Sequence, residues 1–230
     1  MTRDDARQRA RELAKEHRSR GDALGWFEKL YVEAQGNAEH VPWADDEPHP
    51  LLADWLARER IEAGGGDGGA SPALRRALVI GAGLGDDAEG LARAGFAVTA
   101  FDLSPTAIEW CRRRFPSSRV DYRVADLFAA PVEWQGAFDL VFECYTLQAL
   151  PLGVRERAFE PIARFVARGG TLLVVTRGTD AHENVDELPL PLTPAELARF
   201  EHLGLARTDW LDVVTGEQLP LRRFRAVYRR

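Results

Sequence analysis

The 230-residue sequence predicts an α/β fold: a seven-stranded, mostly parallel sheet with helices on both faces, a C-terminal antiparallel hairpin and a helical N-terminal segment. Three observations carry that prediction. From Leu74 onward, short apolar runs alternate with helical stretches. A glycine turn, Gly81-Ala82-Gly83-Leu84-Gly85, separates the first run from the first helix of this region. Carboxylates close the second and third runs, at the strand ends where such sheets bind ligands.

At 45% hydrophobic residues the chain can bury one substantial core, and its length requires no second domain. Residues 1–73 therefore read as a helical cap with a glycine-rich connector, and residues 74–230 as one structural unit. A formal charge of -6 and a pI near 5.5 argue against a nucleic-acid footprint. The charged N-terminus lacks a signal-peptide core, and no run is long enough to span a membrane. Cys111 and Cys144 have neither disulfide-framework nor zinc-site spacing, so the sequence predicts a soluble, cytoplasmic, metal-free protein.

Residues 2–20 predict a polar helix with little to bury besides Leu13. Trp26, Phe27, Leu30 and Tyr31 then give an aromatic helical face. The prolines and acids of residues 41–50 exclude a regular helix, and Trp43 within them either plugs the core edge or covers a ligand. Helical spacing resumes over residues 51–61, and residues 64–72 form a connector.

Strand one is Ala77–Ile80, followed by a helix over residues 88–94. Strand two, Ala97–Asp102, precedes Ser104-Pro105, an N-cap and first-turn proline for a helix to Phe115. Strands three and four are Val120–Ala125 and Phe138–Glu143. A helix over residues 154–167 is expected to stop at Gly169-Gly170, with strand five over residues 171–176. The segment from Arg177 to Pro191 is a loop at the ligand edge of the sheet. Thr193-Pro194-Ala195-Glu196 starts a capped helix running to His202, and residues 206–214 and 222–228 form the closing hairpin.

A dinucleotide fingerprint requires a third glycine where Asp86 stands, and that acid would face a pyrophosphate. A cofactor with a sulfonium and an ammonium tolerates Asp86 and Asp87. Asp102 can accept hydrogen bonds from two ribose hydroxyls, and Asp126-Leu127 can flank an adenine, although each acid alone is more often an ordinary loop residue.

The series Val79–Gly85, Phe101-Asp102, Val124–Leu127 and Phe138–Glu143 resembles the class I S-adenosylmethionine-dependent methyltransferases, with their Rossmann-like fold. Gly25-Trp26, Val41-Pro42-Trp43 and Pro48-His49-Pro50-Leu51 are similar to the N-terminal signature of the thiopurine S-methyltransferase and halide/thiol methyltransferase group. A second early tryptophan of the halide enzymes would fall near Leu30 or Tyr31, and the loop before Trp43 is longer here.

The resemblance implies S-adenosylmethionine as cofactor, S-adenosylhomocysteine as product and a small-molecule acceptor, with a thiol or thiopurine-like acceptor preferred. It assigns Trp26 and Trp43 to the cofactor's cover and Asp87 to the acid after the glycine turn. The candidate cofactor-binding set is Trp26, Trp43, Gly81, Ala82, Gly83, Gly85, Asp87, Asp102, Leu103, Asp126, Leu127 and Glu143.

Methyl transfer is an in-line displacement that gains from alignment and desolvation. A thiol needs little help to ionise, whereas a hydroxyl needs a base. Glu143 and Tyr145 are the catalytic candidates, with Glu143 alternatively orienting the cofactor ammonium or the substrate. Cys144 reads as a buried apolar residue, His49 and His202 as loop or helix-surface residues, and His182 as a remote candidate base. Gln148 either binds substrate or caps the turn before Pro151. An O- or N-methyltransferase of an aromatic metabolite and a non-catalytic cofactor-binding protein stand as the alternatives.

Overall fold

The computed structural model describes residues 2–59, 74–182, 187–215 and 220–230. The expected glycine connector over 64–72 lies outside them. Helix α1 (Arg3–Ser19) begins at a capping box between Thr2 and Asp5, and α2 (Trp26–Ala34) and α3 (Pro50–Arg58) follow. Then come β1 (Arg76–Ile80), α4 (Asp86–Arg93), β2 (Ala97–Asp102), α5 (Pro105–Arg114), β3 (Asp121–Val124) and β4 (Phe138–Cys144). Helix α6 (Leu152–Phe165) leads into β5 (Val166–Arg177), and α7 (Pro194–Leu197), α8 (Arg199–His202), β6 (Ala206–Thr215) and β7 (Leu221–Arg229) complete the chain.

The strands form one sheet in the order β3-β2-β1-β4-β5-β7-β6. The pairs from β3 to β5 are parallel, and β7 runs antiparallel to both β5 and β6. The order reverses between β1 and β4, which opens a crevice at their carboxyl ends. Leu78, Ile80, Phe101 and Val141 pack on the face covered by α6. Ala77, Val79, Leu140 and Phe142 pack on the opposite face, against residues of α3, α4 and α5. Strands buried on both faces read as continuous apolar runs, which is why β1 and β4 are conspicuous in the sequence.

Two expectations fail. The helix ends at Phe165 rather than at Gly169-Gly170, and β5 already starts at Val166. Val166 pairs with Phe138, while Gly169 N–H donates to Arg230 O and Arg230 N–H to Gly170 O, so strand pairing captures the segment that the glycines were expected to terminate. The capped helix at Thr193 is broken into α7 and α8 around Ala198, with the capping box of Thr193 and Glu196 present as expected.

The N-terminal segment is better anchored than its polarity suggests. Ala6, Ala10, Leu13 and Ala14 form a buried row on α1, the last three in one cluster with Trp26, Leu30, Leu188 and Leu190. Glu28 on α2 accepts hydrogen bonds from Ser104 Oγ (2.5 Å), Thr106 N (3.2 Å) and Thr106 Oγ1 (2.6 Å) at the start of α5. Among the described residues no helix is long and apolar enough to cross a membrane.

Candidate active site

The glycine turn leaves β1 with Gly81, Gly83 and Gly85 all at positive φ. A side chain at Gly81 would strike Thr146 Oγ1, so that position is closed by packing as well as by conformation. Gly83 faces the N-terminal segment instead: a Cβ there would lie 3.6 Å from the Trp43 indole and from Tyr31 Oη. Trp43 Nε1 donates to Tyr31 Oη at 2.8 Å, which fixes the indole over the turn. Trp26 is buried, lies edge-on to Trp43 and leaves its own Nε1 without a partner. Trp43 thus both completes an aromatic cluster and covers the turn.

Asp102 ends β2 with a buried carboxylate. Its Oδ2 accepts from Gly83 N (3.0 Å) and its Oδ1 from Ser104 N (2.9 Å). Each oxygen keeps a further lone pair for a hydroxyl donor. Burial raises its pKa to about 6, against the pull of these two amides. Leu103 follows as an exposed apolar residue. Asp126 caps the single turn after β3 by accepting from Phe128 N (2.9 Å), and Leu127 is buried against the sheet.

The two acids after the turn diverge. Asp86 is gripped by Arg114 through both oxygens (3.0 and 3.1 Å), and Arg114 also holds Leu84 O and Asp46 Oδ1. Its charge is therefore spent on α5. Asp87 accepts from His49 N at 2.7 Å and ties the N-terminal segment to α4. Burial raises its pKa to about 6.

Glu143 is fully buried near the end of β4. Oε1 accepts from Leu147 N at 2.8 Å, while Oε2 has no partner. Burial pushes its pKa to about 7. An acceptor oxygen of this kind costs free energy unless a donor arrives, and a ligand ammonium is such a donor.

Tyr145, just past β4, has φ +63°, a left-handed conformation that costs a side-chain-bearing residue about 1–2 kcal/mol. Its hydroxyl explains what holds it there. His49 Nδ1 accepts from Leu51 N (3.1 Å), so Nε2 carries the ring proton and donates to Tyr145 Oη at 3.0 Å. Arg223 Nε donates to the same oxygen at 2.8 Å. Burial, reinforced by Arg223, lowers the His49 pKa to about 4 and keeps the ring neutral. With both acceptor positions of the phenol used, its own O–H is free to donate. Burial raises the Tyr145 pKa to about 12.

His49 is a half-buried loop residue at the N-cap of α3, in a loop as expected, and its ring is bonded to Tyr145. Its position between two prolines hid that role, and nothing local in the sequence links it to Arg223. His182 Nε2 bonds Glu196 Oε2 (3.0 Å), leaving a buried Nδ1 without a partner. Gln148 Oε1 accepts from Arg177 N (2.7 Å) and Thr176 Oγ1 (3.2 Å), so it joins the β4 loop to β5. Arg155, fully buried on α6, donates to Leu147 O, Leu190 O and Glu196, and fixes the loops on either side of the crevice. The signal for Arg155 is that it is the one charge falling on the apolar face of α6, with Ala158, Phe159 and Ile162. Cys144 has its thiol pKa pushed up by burial, as expected of an inert residue.

The methyltransferase domain family matches residues 77–170. The chain is 28% identical over 174 residues to the probable thiol methyltransferase 2 of Arabidopsis thaliana, covering 73% of this chain and 68% of that protein. Among solved structures, one from the conversion of a disulfide bond into a thioacetal group during echinomycin biosynthesis superposes with a TM-score of 0.69 at 22% identity, over 90% of this chain and 91% of that one. The Burkholderia thailandensis 1,6-didemethyltoxoflavin-N1-methyltransferase, bound to its substrate and S-adenosylhomocysteine, gives 0.66 at 16% identity, over 89% and 87%. At these identities the structural likeness speaks for the fold. Domain match, sheet order and the buried acceptors around the glycine turn converge: the chain is a class I S-adenosylmethionine-dependent methyltransferase.

Proposed function

We propose that the chain methylates the sulfur of a small-molecule thiol, with residues 2–59 acting as the cover of the site. S-adenosylmethionine supplies an electrophilic methyl group when bound. In this reading Asp102 takes the ribose hydroxyls, and Leu103, Asp126 and Leu127 flank the adenine. Gly81, Ala82, Gly83 and Gly85 let the cofactor approach the main chain. Glu143 Oε2 accepts from the ammonium, Trp26 and Trp43 close the site from the N-terminal side, and Asp87 holds that cover through His49.

The observation that carries the acceptor class is the bonding of Tyr145. His49 and Arg223 both donate to its oxygen, so among the described residues the side chains bonded to Tyr145 are donors, one of them positively charged, and its own O–H is left to donate. Such surroundings suit a nucleophile that ionises by itself near neutral pH. A thiol with an ordinary pKa of about 8.5 does so, and a phenol or amine does not. Tyr145 would then orient the sulfur and desolvation would raise its reactivity. The 28% identity to a thiol methyltransferase supports the same choice.

A second reading rests on His182. Its Glu196 bond leaves Nδ1 able to take a proton, which favours O- or N-methyl transfer with His182 as base. Turnover of matched thiols, phenols and amines separates the two. Faster methylation of thiols, retained in His182→Gln, supports the first. Preferred phenol or amine methylation, abolished in that variant, supports the second.

A further inference from the structure

Arg177 ends β5, and Arg223 is its direct antiparallel partner in β7. Residues so opposed project on the same face with Cβ atoms about 5 Å apart, where like charges repel. Arg177 and Arg223 are half-buried, and the fully buried arginines of the described chain are matched by acids. Arg155 is matched by Glu196, and Arg225 by Asp54 and Asp209. Acids are also plentiful, since the formal charge is -6.

Among the described residues neither Arg177 nor Arg223 has a carboxylate partner. Arg223 commits Nε to Tyr145 Oη and Nη1 to Thr215 and Leu221 O, so that among the described residues Nη2 is left to meet a ligand. The Arg177 side chain forms no hydrogen bond or ion pair there. Arg177 lines a cavity of about 230 Å³ with Arg11, Thr179, His182, Leu188 and Leu190. Two neighbouring cations on α1 are already engaged, Arg7 by Asp4 (2.8 Å) and Arg11 by Glu187 (3.9 Å), and Glu187 is the acid of the cavity wall. The strand pair is the unsatisfied one, and through Arg223 it is one hydrogen bond from the Tyr145 hydroxyl.

We propose that Arg177 and Arg223 form an oxyanion subsite, so that the methyl acceptor is a small molecule bearing a carboxylate or phosphate beside its reacting atom. Planar guanidiniums bind such groups through paired charge-assisted hydrogen bonds. An incoming oxyanion would relieve the repulsion between the two cations and set the distance of the nucleophile from Tyr145. The subsite rests on the methyltransferase reading only for the identity of the reacting atom.

The test compares mercaptopropionate, mercaptoethyl phosphate and neutral mercaptopropanamide in methyl transfer, with ligand-observed NMR as a binding readout that needs no turnover. The wild type is expected to favour one or both oxyanions over the amide in kcat/KM by about 10-fold or more. The better of the two identifies the group. Arg177→Gln should bring that ratio close to one, and Arg177→Lys should keep part of it. An amide used as well as both oxyanions, or an unchanged ratio in Arg177→Gln, overturns the proposal. If no thiol is methylated, Arg177-dependent binding of an oxyanion by NMR sustains the subsite and discards the thiol reading, while its absence discards the subsite.

Discussion

Replacing Glu143 by Gln separates what this carboxyl costs the fold from what it contributes to the site. The amide keeps the acceptor for Leu147 N and removes the ionisable oxygen that has no partner. Burial raises the Glu143 pKa from an ordinary 4.5 to about 7. A raised pKa means that its contribution to stability is complete below pH 4.5 and is lost as pH rises through about 7. The loss amounts to about 3 kcal/mol at the alkaline end. Urea denaturation of the ligand-free protein should therefore find the variant gaining on the wild type between pH 4.5 and pH 8, by up to about that amount. Cofactor binding should move the other way. If Glu143 must be ionised to accept from the ammonium, wild-type affinity for S-adenosylhomocysteine by calorimetry rises with pH through about 7. In Glu143→Gln it should be weaker and lack the rise through about 7. A variant whose stability difference does not vary with pH, and whose affinity matches the wild type, would refute the assignment.

Tyr145→Phe keeps the ring and removes the donor; kcat/KM for a thiol should fall by about 10- to 100-fold with cofactor affinity unchanged, as stopped-time product analysis and calorimetry would report. Glu28→Ala removes the acceptor for three hydrogen bonds between α2 and α5. It should cost about 1–3 kcal/mol, and hydrogen exchange should quicken in residues 26–34 more than in the sheet. Because these bonds and not burial prevail in lowering the Glu28 pKa, wild-type stability from this contact is present above its ordinary 4.5 and fades as pH falls, a dependence that Glu28→Ala should lack.

Much of this architecture was legible because a parallel sheet writes itself plainly: β1, β2 and β4 are apolar runs closed by glycine or acid, and Ser104-Pro105 announces α5. The start of β5 was not legible, since its first residues are held by Phe138 and by Arg230 far along the chain. The candidate site divides in the same way. Gly81, Asp102 and Asp126 occupy strand ends and can be named from local pattern. His49, Arg177 and Arg223 cannot, because what joins them to Tyr145 is sheet register and the docking of a loop nearly a hundred residues away. Asp86 shows the converse: its place in the motif is conspicuous, yet Arg114 on another helix decides where its charge goes.

The central claim, transfer to a sulfur that ionises without a base from the protein, is tested most directly by the pH dependence of kcat/KM for thiols of different acidity. The midpoint is predicted to follow the pKa of each thiol and to persist in His182→Gln. A midpoint fixed at one value for every acceptor, and lost in that variant, would contradict it.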